Sequence, residues 1–215
     1  MVRIVGGVTL VALAAGLVMA FGVAPREVTQ GNVQRIMYVH VPSVWVAYLA
    51  FAVVLVASIV YLARRVDSAD RLAHASAEVG VLFTGLTIAT GSIWGKPTWG
   101  TWWTWDARLT SVSILFVMYL GYLLLRGMIE DPDQGARYAA VLGIVAAFNI
   151  PLVHFSVYWW RTLHQPPSLM KPGPGTMPGV IVAALMVNFV AFSLLYVYFV
   201  AKRVNLLRRE AEAAA

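Results

Sequence analysis

Long apolar runs separated by short polar segments dominate this chain of 215 residues. Three runs contain no charged residue and are long enough to span a bilayer: 4–23, 44–63 and 180–201. Three weaker runs are short, or include a polar residue or a proline: 77–94, 109–125 and 138–160. Because a hydrocarbon core of about 30 Å needs roughly 20 apolar helical residues, the pattern predicts an all-α integral membrane protein. We expect six transmembrane helices in a single membrane domain over residues 1–215.

Composition strengthens this prediction and narrows the chemistry. Only 12% of the residues are charged and 60% are hydrophobic, whereas a soluble domain has about 25% charged residues. The chain has no cysteine, which excludes disulfides, thiolate metal sites, iron–sulfur clusters and covalent haem attachment through a CxxCH motif. The net charge of +6 comes from basic residues spread over the connecting segments, so nucleic-acid binding is not expected.

The first apolar run allows two interpretations. Arg3 precedes it and the small residues Gly22 and Ala24 lie at its end, as in a cleaved signal sequence. The run over 4–23 is longer than the 7–15 apolar residues of a usual signal core. We therefore predict a retained helix.

Lysine and arginine are unevenly divided between the two ends of the predicted bundle. Ten lie at the end that holds both termini and six at the other end. Because basic residues are enriched in cytoplasmic segments, both termini are predicted to be cytoplasmic. Eight of the ten acidic residues also lie on that side, which leaves a net charge of +4 on the outer face. The outer face therefore suits an anionic ligand.

Three outer segments hold all eight tryptophans and three of the four histidines: 31–46, 94–111 and 154–167. In the first, Val33, Met37 and His40 are spaced as i, i+4 and i+7, which predicts a helix along the membrane surface with His40 on its apolar side. Pro42 fits the first turn of the following membrane helix. On this segment alone, His40 is also compatible with an interfacial residue that hydrogen-bonds to lipid headgroups.

The segment WGKPTWGTWWTWDARLTS, residues 94–111, contains five tryptophans within twelve positions. Tryptophan is enriched at membrane interfaces, which accounts for one or two such residues at a helix end but not for five. If residues 99–106 are helical, a flat aromatic shelf results, formed on one helix face by Trp99, Trp102, Trp103 and Asp106. Such a shelf suits a large planar π-system.

The third outer segment contains a proline and two histidines. Pro151 removes a backbone hydrogen bond and is predicted to kink the fifth helix just before His154. An ionisable residue inside a span is a functional candidate, but a neutral His154 that bonds a freed carbonyl is the alternative. His164 lies near the membrane surface beyond Trp160, as His40 does.

Two surface histidines, an aromatic shelf and a surplus of basic residues together predict a haem site. Neutral imidazoles are common axial ligands of haem iron, and indoles can pack against the macrocycle. The candidate partners of the haem propionates are Arg35, Lys96, Arg108 and Arg161. Basic residues at membrane ends also commonly contact lipid phosphate. The fourth histidine, His74, is assigned to a solvated cytoplasmic loop.

These residues resemble a known family. WGKPTWGTWWTWDARLTS is similar to the tryptophan-rich WWD motif of the haem-handling proteins of cytochrome c biogenesis. Within that group, the six spans, YVHVP before the second helix and WWRTLHQ after the fifth resemble the CcmC (haem exporter protein C) family over nearly the whole chain. The stretch 165–179, rich in proline and glycine, is a departure from that pattern.

The resemblance implies a protein, not an enzyme, that holds non-covalent haem b through two axial histidines, His40 and His164. The haem-contacting residues implied by the motif are Trp94, Trp99, Trp102, Trp103, Trp105 and Asp106. The implied partners are a periplasmic haem chaperone like CcmE, the ABC transporter subunits CcmA and CcmB, and the small membrane protein CcmD. The protein would bind haem at the outer face of the bacterial cytoplasmic (inner) membrane and deliver it to the chaperone for c-type cytochrome biogenesis.

Two other functions compete with haem delivery. A membrane b-type cytochrome that exchanges electrons with quinone should bury histidine pairs in its spans, and only His154 lies inside a predicted span. A transporter that itself moves haem across the bilayer needs polar groups along a pathway, but the spans are almost entirely apolar. The sequence contains no Walker-type phosphate loop, so any ATP dependence must come from a partner.

Overall fold

The computed structural model describes residues 2–164 and 177–214, most of which are helical. Within these described residues, six helical spans are long and apolar enough to cross a membrane. Seven α-helices build these spans: α1 (Val2–Val18), α2 (Met37–Arg64), α3 (Asp67–Trp99), α4 (Ala107–Met128), α5 (Pro132–Ala147), α6 (Asn149–Trp159) and α7 (Gly179–Ala214). A π-helical turn, Met19–Val23, extends α1, and a 3-10 turn, Val33–Ile36, leads into α2. The predicted all-α membrane protein with six spans is confirmed.

The helix α3 is much longer than the apolar run that predicted it. It has 33 residues and begins at Asp67 rather than at residue 77. The first turns of α3 are polar, so a search for apolar runs misses them. Asp67 and Asp70 in the first turn favour a helix N-terminus. His74 therefore lies on α3, where its Nε2 is 3.2 Å from Glu78 Oε1. The prediction that His74 lies in a solvated loop is wrong.

The segment that was predicted to lie along the membrane surface forms the start of α2 and the turn before it. The 3-10 turn Val33–Ile36 passes directly into α2, which continues to Arg64. Pro42 is buried in the second turn of this helix rather than in the first. His40 lies in the first turn of a membrane-length helix, so the expectation that only His154 lies inside a span is wrong.

The fifth span is broken near its middle. α5 ends at Ala147 and α6 begins at Asn149, because Pro151 has no N–H to donate to the carbonyl of Ala147. This break confirms the predicted kink before His154. Asn149 Nδ2 donates to the Ser111 carbonyl of α4 at 2.8 Å, so the break is fixed against a neighbouring helix.

Close helix contacts depend on small residues and on one stacked aromatic pair. Gly80 of α3 leaves the space that the ring of Phe51 on α2 occupies. Phe51 in turn stacks on Tyr119 of α4, with ring centroids 3.6 Å apart. On another side of the bundle α1 packs against α7, where Asn188 Nδ2 donates to the Gly16 carbonyl at 3.1 Å.

Ion pairs fasten the end of the bundle that holds the termini. Arg126 of α4 makes a bidentate contact with Asp70 of α3, at 2.5 and 2.7 Å. Arg203 of α7 contacts Glu78 of α3 in the same way, at 2.6 and 2.9 Å. The opposite end, formed by residues 24–40, 92–108 and 159–164, is called the tryptophan end below.

Candidate functional site

A cavity at the tryptophan end brings His40 and His164 together. It lies among α2, α3 and α4 and leaves about 80 Å³ that a water-sized molecule can reach. His40 comes from α2, Arg108 from α4 and His164 from the segment that follows α6. The deeper wall is mostly apolar, with hydroxyl groups from Tyr48 and Thr87 among its lining. The two histidines that the sequence singled out therefore face one space.

His40 is held by contacts with α3. Its Nδ1 lies 3.0 Å from the hydroxyl oxygen of Thr90. Its ring meets Trp94 edge-on, with ring centroids 5.7 Å apart. Gly91 provides room for the ring, because a Cβ atom at that position would lie 3.0 Å from His40 Cε1. The helix α3 thus supplies both a polar contact and a close packing surface.

His164 is positioned by the tryptophan segment. Its ring packs edge-on against Trp99, with ring centroids 4.7 Å apart. Its Nδ1 is 3.7 Å from Oδ2 of Asp106, beyond hydrogen-bond distance, and has no closer polar partner in the described structure. Burial, followed by the positive charge of Arg108, lowers the pKa of His164 to about 4, while the Asp106 carboxylate acts in the opposite direction. The imidazole is therefore neutral at pH 7 and keeps a lone pair for a metal ion.

Asp106 joins α4 to the segment that carries His164. Its Oδ1 accepts the N–H of Leu109 at 2.8 Å and so caps the N-terminus of α4. Its Oδ2 accepts the N–H of Leu163 at 3.1 Å. Only 9% of the side chain is exposed. The carboxylate thus orders the chain around His164 through main-chain hydrogen bonds.

Residues 100–106 do not form the predicted helix. Gly100, with a φ of 79°, adopts the left-handed conformation that ends α3 at Trp99. Asp106 is extended, with φ −75° and ψ 165°, because it caps the next helix. The prediction of a shelf on one helix face is therefore wrong for Trp99, Trp102, Trp103 and Asp106.

The tryptophans instead divide into two groups. Trp94 and Trp99 each contact one of the two histidines, and Trp94 Nε1 also donates to the side-chain oxygen of Gln30 at 2.8 Å. Trp102 and Trp105 are 56% and 80% exposed. One group therefore packs beside the cavity, and the other forms part of the outer surface of the tryptophan end.

Only one of the four predicted propionate partners lines the cavity, and it is Arg108. Arg35 donates to two main-chain oxygens at the end of the first span. Lys96 donates to a main-chain oxygen just after α3, at 3.1 Å. Arg161 is exposed beyond the end of α6. Arg35 and Lys96 therefore stabilise the main chain through hydrogen bonds. Arg108 is the one of the four in a position to contact a ligand in the cavity.

Three hydroxyl residues at this site were not predicted from the sequence. Tyr48 and Thr87 line the cavity, and their hydroxyl oxygens are buried without a hydrogen-bond partner in the described structure. Thr90 contacts His40 directly. Helical spacing could have predicted these three residues. Tyr48 follows His40 by eight residues on α2, which places both on one helix face, and Thr87 and Thr90 share a face of α3 with Gly91.

His154 does not belong to the cavity. It is exposed on α6, and its ring packs edge-on against Phe155 with centroids 5.0 Å apart. The described residues provide no hydrogen bond from His154 to a freed carbonyl, so that expectation is not confirmed. The stretch 165–179, which was predicted to depart from the family pattern, lies mostly outside the described residues.

The fold and the site define a class: multi-pass helical membrane proteins that present two histidines in a cavity beside a tryptophan-rich segment. Comparison with known proteins gives the family. The chain belongs to the CcmC family, described as "Heme exporter protein C", whose model matches residues 1–215. It is 45% identical over 203 residues to "Heme exporter protein C" of Bradyrhizobium diazoefficiens, covering 94% of this chain and 77% of that protein. It is 40% identical over 206 residues to the protein of the same name from Haemophilus influenzae, covering 95% and 84%.

Membership confirms the resemblance found in the tryptophan segment and its flanking motifs. The family implies a multi-pass membrane protein with a role in haem export for cytochrome c maturation. It is a family of exporters and not of enzymes.

Proposed function

We propose that this protein binds non-covalent haem b between His40 and His164 and delivers it to a haem chaperone. The observation that carries the proposal is that these two histidines, from distant parts of the chain, line one cavity. Each imidazole supplies one axial ligand to the haem iron. The haem is cargo rather than a resident cofactor, and the open position of the cavity suits a ligand that must leave again.

The chemistry of the cavity fits this cargo. The neutral imidazole of His164 can bind iron without first losing a proton. The largely apolar wall suits the macrocycle, which buries apolar surface when it enters. Arg108 is the basic residue of the lining and is the proposed partner of a propionate, since guanidinium groups bind carboxylates strongly.

The tryptophans have two proposed roles. Trp94 and Trp99 keep the ligating imidazoles in place by edge-on packing. Trp102 and Trp105 are exposed aromatic side chains, and such residues are favoured at the centres of protein interfaces. We propose that they contact the haem edge and the chaperone during transfer. The ring of Trp103 meets that of Trp105 edge-on, with ring centroids 5.7 Å apart.

The proposed location is the bacterial cytoplasmic membrane, with the tryptophan end facing the periplasm. The excess of basic residues at the end that holds the termini supports this orientation. The receiving chaperone would be CcmE-like. The export complex would include ABC transporter subunits like CcmA and CcmB and a small membrane protein like CcmD.

The haem content of the purified protein tests the ligand assignment. The wild type, His40→Ala, His164→Ala and the double variant are purified in detergent, and absorption spectra are recorded in the oxidised and reduced states. We expect each single variant to weaken the haem absorbance and the double variant to abolish it. His154→Ala is the matched control, because His154 is exposed away from the cavity. Unchanged absorbance in the double variant would overturn the assignment.

Vesicle experiments separate delivery from the competing functions. Haem uptake by vesicles that contain only this protein would favour a transporter that acts alone. Rapid reduction of the bound haem by a quinol, without transfer to a chaperone, would favour a b-type cytochrome. We expect transfer to a purified haem chaperone in the absence of quinol and of transmembrane haem uptake.

A further inference from the structure

We propose that Thr90 is a positioning residue that fixes the tautomer of His40, with the hydrogen on Nδ1 and the lone pair on Nε2. The inference rests on the proposed haem-binding function, because it concerns which nitrogen of His40 meets the iron. It starts from the 3.0 Å contact between His40 Nδ1 and Thr90 Oγ1. Either atom could donate in such a contact, and the neighbouring hydrogen bonds decide which one does.

The single hydrogen of the Thr90 hydroxyl is already used within α3. Thr90 Oγ1 lies 2.7 Å from the carbonyl oxygen of Leu86, one turn earlier, and 3.3 Å from that of Thr87. Carbonyl oxygens only accept hydrogen bonds, so the hydroxyl must be the donor to them. Oγ1 therefore presents a lone pair to His40, and His40 Nδ1 is the donor in the contact between the two side chains.

The opposite tautomer loses the pairing in which His40 Nδ1 donates to Thr90. If Nδ1 of His40 accepted the hydroxyl hydrogen, the Leu86 carbonyl would lose the Thr90 hydroxyl as a donor. The ring would also carry its hydrogen on Nε2, beside a cavity whose lining is mostly apolar. A polar group that loses its hydrogen-bond partner on burial destabilises the fold. The Nδ1–H form satisfies Thr90 and His40 together.

The consequence concerns iron binding. A neutral imidazole carries a hydrogen on only one nitrogen, so a hydrogen fixed on Nδ1 leaves Nε2 free as the ligating atom. Metal-binding histidines usually donate their second N–H to a carbonyl or carboxylate, which fixes the ring orientation and the tautomer. Thr90 supplies this support for His40 through a hydroxyl group. It acts through His40 and is not itself assigned as a ligand.

The first test measures the tautomer in the haem-free protein. The chain has four histidines, so ¹⁵N-histidine labelling gives four pairs of ring-nitrogen signals, and His40→Ala identifies the Nδ1 and Nε2 pair of His40. Spectra are recorded near pH 8, well above the ordinary histidine pKa of about 6.5. We expect the Nδ1–H form in the wild type and in Thr90→Ser, and a shift toward Nε2–H in Thr90→Val. A wild-type His40 with its hydrogen on Nε2 would overturn the inference.

The second test measures haem binding and the reduction potential of the bound haem. Loss of a group that supports a ligating histidine typically costs 10–100-fold in affinity, so Thr90→Val should bind haem about tenfold more weakly and shift the potential. Thr90→Ser should restore both. Thr9→Val is the matched control, because Thr9 donates to the Val5 carbonyl of α1 at 2.8 Å in the same way. Equal affinity and potential in Thr90→Val and the wild type would also overturn the inference.

The two tests distinguish this inference from the proposed function. A wild-type protein that binds no haem would refute the proposed function, whereas the tautomer of His40 is read without haem. A protein that binds haem through His40 but shows no dependence on Thr90 would refute only the inference.

Discussion

Asp106 Oδ2 accepts the N–H of Leu163 at 3.1 Å, although 57 residues separate the two in the chain. The other oxygen of the same carboxylate caps α4 at Leu109. One side chain therefore ties the start of α4 to the residue beside His164. In this arrangement the aspartate of the tryptophan motif positions a proposed ligand.

Asp106→Asn should lower haem retention more than it lowers stability. Asparagine caps helices about as well as aspartate, so its amide oxygen can still accept the Leu109 N–H. Its NH₂ group cannot accept the Leu163 N–H, so the His164 segment loses one anchor. We expect the haem-to-protein ratio to fall severalfold while the thermal unfolding midpoint changes little.

Asp106→Ala is the comparison for that prediction. It removes the cap as well, at a cost of about 1 kcal/mol, so both haem content and thermal midpoint should fall. The same haem content in Asp106→Asn and the wild type would contradict a positioning role for Asp106.

Gly91→Ala should displace His40 without weakening α3. The added Cβ would lie 3.0 Å from His40 Cε1, closer than ordinary contact, so the ring must move. Gly85→Ala on the same helix is the control, because its Cβ would lie 3.5 Å from Phe116, an ordinary contact. Alanine favours a helix over glycine by about 1 kcal/mol, so neither variant should unfold earlier than the wild type. If both variants retained haem equally, the close fit of His40 against α3 would not matter for binding.

Arg108→Gln should weaken haem binding and reduce its dependence on salt. A hydrogen bond to a charged group contributes about 1.5–3 kcal/mol, which corresponds to roughly tenfold or more in affinity. Arg161→Gln removes an exposed arginine from the same end of the bundle and should change the affinity much less. Haem titrations at low and high ionic strength measure both effects. An equal loss in the two variants would indicate a general effect of charge instead of a propionate contact.

The stability of the haem-free protein should fall as the pH is lowered from about 6.5 toward 4. Burial lowers the pKa of His164 to about 4, whereas an unfolded histidine titrates near 6.5. Between these values the unfolded chain binds a proton that the folded chain does not, so acid favours unfolding. Thermal midpoints of the wild type should decrease over this window more than those of His164→Gln. Parallel pH profiles for the two proteins would contradict a buried, neutral His164.

The number of spans could be predicted because the length of an apolar run is a local property of the sequence. The start of α3 could not, since its first turns from Asp67 are polar and hydropathy is insensitive to helix outside the bilayer. The aromatic shelf was predicted from helical spacing, but Gly100 ends the helix before that spacing applies. At Gly100, a backbone cap decided what the apolar pattern left open.

The proposed site was predictable in part because its two histidines stand in local motifs. His40 and His164 belong to YVHVP and WWRTLHQ, whereas Thr90 is an ordinary polar residue within an apolar span. Its contact with His40 depends on how α2 and α3 pack, which in turn depends on close approaches such as Gly91 against the His40 ring. No local sequence pattern specifies how α2 and α3 are aligned along each other.

The two ends of the bundle are held together by different kinds of interaction. Asp70–Arg126 and Glu78–Arg203 join α3 to α4 and to α7 at the end that holds the termini. Around the cavity, the described residues contribute only the 3.7 Å approach of His164 to Asp106, together with hydrogen bonds and aromatic packing. Haem can therefore enter and leave the proposed site without the rupture of a cross-helix ion pair between charged groups of the described residues.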